Sequence, residues 1–158
     1  MKYLMVCHGN ICRSPMAMGL LRHKLAKLGS DSEVDSCGFE PYHIGDAPDK
    51  RAQKILAEKG IDISGHRARL FTTEDFDKFD HIFVMDRHNF KDILAQSRGD
   101  EDMKKVQLLL DVVYPGEHLE VPGPYYGLDQ AFRTTYAHVS GAAEEIIETY
   151  EKKQDDPV

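Results

Sequence analysis

The sequence predicts an α/β fold: a doubly wound, four-stranded parallel sheet in the order 2-1-3-4, with helices on both faces. Three observations lead to this fold class. Four short apolar runs alternate with helical patterns along the chain. The 158 residues are 41% apolar, which is enough for one buried core. No repeat and no Gly/Ser-rich linker divides the chain, so we expect a single domain over residues 1–158.

The opening of the chain supplies the first strand and the first helix. Lys2–Val6 is a short apolar run. Ser14 then offers a helix N-cap, with Pro15 at the first helical position. Gly29 stands where a left-handed C-terminal cap is expected. Between these ends, one helical face carries Ala17, Leu21, Leu25 and Leu28.

The middle of the chain repeats this alternation of strand and helix. Residues 34–37 predict a weak second strand, and a helix begins near Asp49 and ends at Gly60. Residues 81–85 predict a third strand, and Asp86 is the N-cap of the helix after it. The apolar faces of these two helices carry Ala52, Ile55 and Leu56, and Phe90, Ile93 and Leu94.

The end of the chain supplies the fourth strand, residues 106–110, and a long helix. Apolar residues recur at gaps of three and four along that helix: Phe132, Tyr136, Val139, Ala143, Ile146 and Tyr150. We interpret this stripe as core packing. In a doubly wound sheet, ligands bind at the carboxyl ends of the strands, and the loop after the first strand begins at Cys7.

Charge and composition exclude several classes of partner. Acidic residues outnumber basic ones by 27 to 20, for a formal net charge of -7, which disfavours nucleic acid and anionic membranes as partners. No apolar stretch reaches the length of a membrane span, and we expect a cytoplasmic protein that is a monomer or weak dimer. The three cysteines cannot all pair, and no two have the spacing of structural zinc ligands, so no metal is expected.

The loop after the first strand predicts an anion site. Its backbone N–H groups and the positive end of the following helix form a concave site for a phosphate, and Arg13 adds a planar fork for two oxygens. The same positive environment favours the thiolate of Cys7, which can attack phosphorus. Gly9 and Asn10 tolerate the left-handed conformations that turn amides inward. The candidate phosphate-binding residues are His8, Gly9, Asn10, Ile11, Cys12, Arg13 and Ser14.

The spacing of Cys7 and Arg13 alone is weak evidence, since it arises readily by chance in a chain of this composition. Its placement between a predicted strand and a predicted helix strengthens it. The alternative is a buried structural cysteine beside a surface arginine. The loop lacks the Gly-Lys-Ser/Thr ending of an ATP-binding P-loop.

Several ordered motifs resemble the low-molecular-weight protein tyrosine phosphatases over nearly the whole chain. Residues 6–15 resemble the nucleophile loop of that family, and residues 124–127 resemble its closing loop. The remaining matches are the aromatic rim, residues 42–45 with Asp49 and Arg51, and two further signatures, residues 65–69 and Met85, Asp86 and Asn89.

The resemblance implies hydrolysis of phosphotyrosine, in proteins or in small aryl phosphates, without a cofactor. Cys7 would take the phosphoryl group as a thiophosphate, water would release it, and Arg13 would stabilise the oxygens in both steps. The match also implies a supporting hydrogen-bond network of Asn10, Ser14, Ser36 and His66, and a deep slot for the phosphotyrosine ring walled by Tyr42, Tyr125 and Tyr126. Without the family, these residues are ordinary polar groups and half-buried surface aromatics.

One position departs from the family. The family's closing loop carries an aspartate that protonates the departing phenolate and later activates water, and Gly123 stands there in this chain. Glycine has no proton to give. The chain is then either a variant that has lost its acid or a slower member that recruits another carboxylate, with Glu120 and Asp129 near in sequence.

Three other functions stay open. Arsenate reductases of this fold need further reactive cysteines near the third strand, and this sequence has none after Cys37. Protein arginine phosphatases carry threonine where Ile11 stands. A phosphotyrosine-binding module that traps substrate without turning it over would fit Gly123. Cys12 lies in the same tight loop as Cys7, and we expect mild peroxide to join the two in a reversible disulfide.

Overall fold

The computed structural model describes residues 1–125, 127 and 129–152. Its centre is a parallel sheet with the strand order β2-β1-β3-β4. The strands are Lys2–Val6 (β1), Glu33–Cys37 (β2), His81–Val84 (β3) and Val106–Leu108 (β4). Residues 3–6 of β1 pair with 81–84 of β3, and all of β1 pairs with β2. The predicted fold class and strand order are confirmed.

Helices and helical turns connect the strands. The α-helices are Arg13–Leu28 (α1), Lys50–Ala57 (α2), Asp75–Lys78 (α3), Arg87–Gln96 (α4), Asp100–Met103 (α5) and Asp129–Ile146 (α6). The 3-10 helices are Pro41–His43 and Leu109–Val112, and a π-helical turn covers Ile147–Lys152. None of the helices in the described part of the chain has the length and apolar character needed to span a bilayer.

The sheet is buried on both faces, which explains why its strands are apolar runs in the sequence. On one face, Tyr3 and Met5 join a core shared with α1, α2 and α6. On the other face, Leu4 and Val6 join a second core built around Phe76, Ile82 and Ile93. The alternation along β1 is the period-two geometry of a strand between two helical layers.

The start of α1 differs from the prediction. The helix begins at Arg13, its N-cap position is Cys12, and no side chain caps it. The predicted capping role of Ser14 is wrong, because its hydroxyl already lies inside the first turn and bonds to the Cys7 sulfur at 2.9 Å. At the other end, Gly29 takes a left-handed conformation with a φ of 73° and caps the helix as predicted.

Two later elements end earlier than predicted. β4 stops at Leu108, and the rest of the predicted strand continues as a 3-10 helix. α6 ends at Ile146 and passes into the π-helical turn. Its predicted stripe is buried at Phe132, Val139, Ala143 and Ile146, which confirms core packing. Outside α6, the predicted core residues Leu28 and Leu94 are exposed, at 44% and 51%.

Candidate active site

Cys7 is the first residue after β1, and residues 7–12 form the loop that leads into α1. Its side chain is buried. The Asn10 backbone N–H donates to Sγ at 3.2 Å, and Ser14 Oγ lies 2.9 Å from the same sulfur. Both groups can donate to the sulfur when it carries negative charge, as the sulfur of an attacking nucleophile does.

Asn10 holds this loop from its centre. It is buried and takes a left-handed conformation with a φ of 57°, as predicted, whereas Gly9 does not. Its Nδ2 donates to Ser14 Oγ and Ser36 Oγ, both at 2.9 Å. Its Oδ1 accepts from the Arg69 backbone N–H at 3.2 Å. A buried amide bonded through both donors and its acceptor cannot rotate without breaking several hydrogen bonds.

His66 completes the network around Asn10. Its Nε2 lies 3.0 Å from Asn10 Oδ1 and 3.1 Å from Ser36 Oγ. Because an amide oxygen can only accept, Nε2 carries the proton. Burial is the main cause that lowers the pKa of His66 below its ordinary value. The neutral imidazole is therefore the form that holds Asn10 at neutral pH.

Arg13 is the first residue of α1, and two hydrogen-bond acceptors fix its side chain. Its Nη1 donates to Asp86 Oδ2 and to the Val121 carbonyl oxygen, each at 2.8 Å. Burial raises the pKa of Asp86, but hydrogen bonds from the Asn89 N–H and from Arg13 outweigh it, so the pKa lies below its ordinary value. Asp86 is thus a charged acceptor that orients the guanidinium and also caps α4, as predicted.

The loop borders a cavity of about 450 Å³ that is also lined by Glu40, Tyr42, His43 and residues 123–125. Two predicted wall residues lie at its mouth, Tyr42 at 83% exposure and Tyr125 at 42%. The His43 ring lies between them, with its centroid 5.1 Å from that of Tyr42 and 6.1 Å from that of Tyr125. The third predicted wall, Tyr126, lies outside the described residues.

The closing segment, residues 121–125 and 127, is attached at its two ends. At one end, the buried Val121 donates its N–H to the Met85 carbonyl oxygen at 2.8 Å. At the other, Arg51 donates to the carbonyl oxygens of Tyr125 at 2.8 Å and Gly127 at 3.0 Å. Asp49 orients that arginine through three hydrogen bonds.

Gly123 lies beside Arg13 in the lining of the cavity. A Cβ at this position would lie 3.6 Å from Cζ and 3.7 Å from Nε of Arg13, in ordinary van der Waals contact. The two carboxylates near it in sequence do not line the cavity. Glu120 accepts the Arg87 N–H at 2.9 Å, and Asp129 begins α6.

A model of the family "Low molecular weight phosphotyrosine protein phosphatase" matches residues 2–156. The chain belongs to this family. A member from Schizosaccharomyces pombe is 36% identical over 149 residues, which cover 92% of this chain and 94% of that one. Since these relatives are named as phosphatases, the family is one of hydrolases.

Two solved structures show the same fold along the chain. The crystal structure of YfkJ from Bacillus subtilis is 33% identical, with a TM-score of 0.89, and covers 98% of this chain and 97% of that one. The crystal structure of DARP, the Drosophila arginine phosphatase, is 31% identical, also with a TM-score of 0.89, and covers 99% and 100%. The fold alone therefore does not decide which phosphorylated residue this phosphatase accepts.

Two residues that shape the phosphatase site are not evident from sequence. Gly38 follows β2, and a Cβ there would lie 2.6 Å from the His8 carbonyl oxygen and 2.9 Å from the Asn10 nitrogen. No local pattern distinguishes this close approach from an ordinary loop glycine. Asp86 is recognisable as a helix cap and part of a motif, but its bond to Arg13 joins residues 73 positions apart.

The other two thiols are unlike Cys7 in their surroundings. Burial raises the pKa of Cys12 well above its ordinary value, and the nearby carboxylate of Asp49 adds to this shift. Burial also raises the pKa of Cys37, which is fully buried. Both thiols are protonated at neutral pH and are therefore less reactive than a thiolate.

One group among the described residues could hold a metal ion. The ligand atoms of His8, His88 and Asp92 lie within 4.8 Å of one another. His88 already pairs with Asp92 at 3.6 Å, and His8 pairs with Glu40 at 3.4 Å. Of these, only His8 and Glu40 line the cavity.

Proposed function

We propose that the chain hydrolyses phosphotyrosine through a cysteinyl-phosphate intermediate at Cys7. The observation that carries this proposal is that a buried thiol with two donors at its sulfur shares one cavity with a fixed guanidinium and an aromatic mouth. The substrates would be phosphotyrosine proteins or small aryl phosphates. The protein would act in the cytoplasm as a monomer or weak dimer.

The first step is attack of the Cys7 thiolate on phosphorus. The phosphate would lie in the loop of residues 7–14, where backbone N–H groups and the first turn of α1 stabilise its oxygens. Arg13 would bind two of these oxygens. Because Asp86 and Val121 hold Nη1, the guanidinium is oriented before the substrate arrives and needs little reorganisation during reaction.

The aromatic mouth supports an aryl substrate. Tyr42 and Tyr125 each lie in edge contact with the His43 ring and would pack against the phenyl ring of phosphotyrosine. Phosphoserine has no ring and would make none of these ring contacts, so the mouth would disfavour it. The apolar side chain of Ile11 suits an aryl phosphate better than phosphoarginine. The family's arginine phosphatases carry threonine at this position instead.

Gly123 would slow the transfer from phosphotyrosine. General acid help is worth about 10²- to 10⁴-fold, or roughly 3 to 5 kcal/mol of barrier, and matters most for a poor leaving group. Since Cys7 and Arg13 do not depend on position 123 for their hydrogen bonds, substrate binding should survive. A substrate trap is therefore the second candidate function, and it is favoured by this glycine alone.

The test compares phosphate release by the native chain, Gly123→Asp and Gly123→Ala. On phosphotyrosine we expect Gly123→Asp to be faster by about 10²-fold or more. Gly123→Ala should change little, since it restricts the backbone without adding an acid. On an aryl phosphate with an acidic nitrophenol, all three should be similar. A native chain that binds a phosphotyrosine peptide but releases no phosphate from either substrate is a binding module instead.

Cys12 would protect the nucleophile during oxidation. We propose that mild peroxide joins Cys7 and Cys12 in a disulfide, after formation of a sulfenic acid at Cys7 and its attack by the neighbouring sulfur. The loss of two hydrogens, measured by mass spectrometry and reversed by a thiol reductant, is the expected result. Sulfinic acid at Cys7 without that loss would contradict it.

A further inference from the structure

Transfer from phosphotyrosine needs a proton donor near the leaving oxygen, because the phenolate of tyrosine is a poor leaving group. Position 123 cannot supply the proton. Among the described residues that line the cavity, three other side chains carry an imidazole or a carboxyl group that can transfer a proton: His8, Glu40 and His43. Their surroundings distinguish them.

Glu40 is held in its charged form. Its carboxylate accepts the Tyr42 backbone N–H at 3.0 Å, and this hydrogen bond is the main cause that lowers the pKa of Glu40. A carboxylate with a lowered pKa is a poor acid at neutral pH. His8 pairs with Glu40 at 3.4 Å, and its side chain is 49% exposed. Neither residue is a well-placed donor.

His43 is positioned differently. Its side chain is 17% exposed and is flanked by the rings of Tyr42 and Tyr125. Its Nδ1 lies 3.1 Å from Asp46 Oδ2. Because the carboxylate accepts, Nδ1 carries a proton in this contact, which leaves Nε2 as the nitrogen that can exchange one.

The free edge of the His43 ring lies against the phosphate loop. Measured from the position that a Cβ would take at Gly9, His43 Cδ2 is 3.3 Å away and Nε2 is 3.9 Å away. A larger residue at position 9 would push the ring out of this place. Gly9, which has no left-handed conformation to explain it, therefore gives His43 access to the loop.

We propose that His43 is a further catalytic residue, the proton donor and acceptor of the phosphotyrosine reaction, and that Asp46 positions it. The proposal rests on the function proposed above. As Cys7 attacks, the sulfur–phosphorus bond forms, the bond from phosphorus to the aryl oxygen breaks, and that oxygen takes the proton from Nε2. The imidazole then accepts a proton from water as the water attacks phosphorus, and the thiolate leaves.

Several charges would act on this proton. The titratable and charged groups around His43 are Glu40, Tyr42 and Asp46 on its own segment, His8, Cys7 and Arg13 from the phosphate loop, and Tyr125 from the closing segment. A bound phosphate dianion would add further negative charge beside the ring.

The test is a double-mutant cycle between His43→Gln and Gly123→Asp, in the presence of a chelator. Glutamine keeps a donor near Nε2 but cannot act as an acid. On phosphotyrosine, His43→Gln should lower the kcat of the native chain about 10²-fold, and only a few-fold in the Gly123→Asp background, where an acid is restored. On 2,4-dinitrophenyl phosphate, whose phenolate leaves unprotonated, the loss should be about threefold or less.

Two measurements separate catalysis from structure. His118→Gln is the matched control, because His118 Nδ1 also lies near a carboxylate, Asp111 Oδ2 at 3.2 Å, but outside the cavity. It should leave both rates unchanged. Asp46→Asn should lower kcat on phosphotyrosine with little change in KM.

Three outcomes would overturn the proposal: an unchanged rate in His43→Gln, an equal loss on both substrates, or an equal loss in both backgrounds. Each would leave His43 as a surface residue or a binding residue. A native chain that releases no phosphate from either substrate would instead contradict the proposed function. Thermal unfolding of each variant identifies any that fails to fold. If His43→Gln fails, Asp46→Asn replaces it in the comparison of the two substrates.

Discussion

The two halves of the cavity are built in different ways. The phosphate loop is held by buried hydrogen bonds that converge on Asn10 and fix Cys7 and Ser14. The closing segment is held by fewer and more peripheral contacts: Val121 and Pro124 are buried, Thr135 donates to the Pro122 carbonyl oxygen at 3.4 Å, and Arg51 donates to the carbonyl oxygens of Tyr125 and Gly127. Between these attachments lies Gly123, with no side chain.

The difference teaches that phosphate binding and proton transfer can change separately. None of the hydrogen bonds described for the phosphate loop reaches position 123. Loss of an acid there leaves Cys7, Asn10 and Arg13 in place. A proton donor such as His43, carried by a third segment, can then act without any change in the loop.

The largest effect should come from Cys7→Ser in the phosphate loop. Serine keeps the volume and a hydrogen-bonding group but is a far weaker nucleophile, so aryl phosphate turnover should fall to background while the fold remains. In the native chain, iodoacetate should alkylate Cys7 at mildly acidic pH, and phosphate should block it. Peptide mapping that finds Cys37 alkylated before Cys7 would contradict the assignment of Cys7 as the reactive thiol.

Asp86→Asn should have the next largest effect, because Asp86 orients Arg13, which joins the phosphate loop to the closing segment through Val121. The amide cannot give Arg13 a charged acceptor, and hydrogen bonds to charged groups contribute about 1.5 to 3 kcal/mol. We expect kcat/KM to fall about 10- to 100-fold on both phosphotyrosine and a nitrophenyl phosphate. A loss on phosphotyrosine alone would place Asp86 in proton transfer rather than in phosphate binding.

Arg51→Gln should affect the closing segment and spare the loop. It removes the donors to the Tyr125 and Gly127 carbonyl oxygens and the pair with Asp49. We expect a rise in KM of about tenfold or less, with the reactivity of Cys7 toward iodoacetate unchanged. Arg133, which pairs with Glu58 at 3.3 Å away from the cavity, offers a matched control as Arg133→Gln.

The smallest effect should be a dependence of stability on pH through His66. Its pKa is lowered by burial, so its contribution to stability is fully present above about pH 6.5 and is lost as the pH falls through the lower folded value. One partly exposed histidine contributes less than the limiting slope of about 1.4 kcal/mol per pH unit. The unfolding free energy of His66→Gln should fall less between pH 7.5 and 5.5 than that of the native chain.

His81 contributes to the same dependence of stability on pH, because burial also lowers its pKa. His81→Gln therefore serves as the comparison. If both variants lose stability with pH as steeply as the native chain, the neutral His66 is not what holds Asn10.

The comparison also explains what the sequence could predict. Local signals sufficed for β1, the C-cap at Gly29, the N-cap at Asp86 and the left-handed Asn10, because each depends on a few neighbouring residues. The alternation of strands and helices predicted the doubly wound parallel sheet, and the order 2-1-3-4 is a common order for that architecture.

The remaining features depend on contacts between distant segments. The capping prediction for Ser14 was wrong because the Cys7 and Asn10 side chains use its hydroxyl. The close approach of Gly38 to the loop and the bond between Arg13 and Asp86 arise only when three strand ends meet. No periodicity records such contacts.

The central claim is that a phosphoryl group passes through Cys7, and trapping it there is the most direct test. The native chain is mixed with 2,4-dinitrophenyl phosphate, quenched in acid within the first turnovers and digested for mass spectrometry. Because the nitrophenolate leaves without a proton while water attack still needs a base, which Gly123 cannot be and which His43 alone would supply, hydrolysis should be the slower step and the intermediate should accumulate. We expect one phosphoryl group on the peptide that contains Cys7, and none in Cys7→Ser. Release of phosphate with no covalent adduct, or an adduct on His8 or His43, would contradict the account.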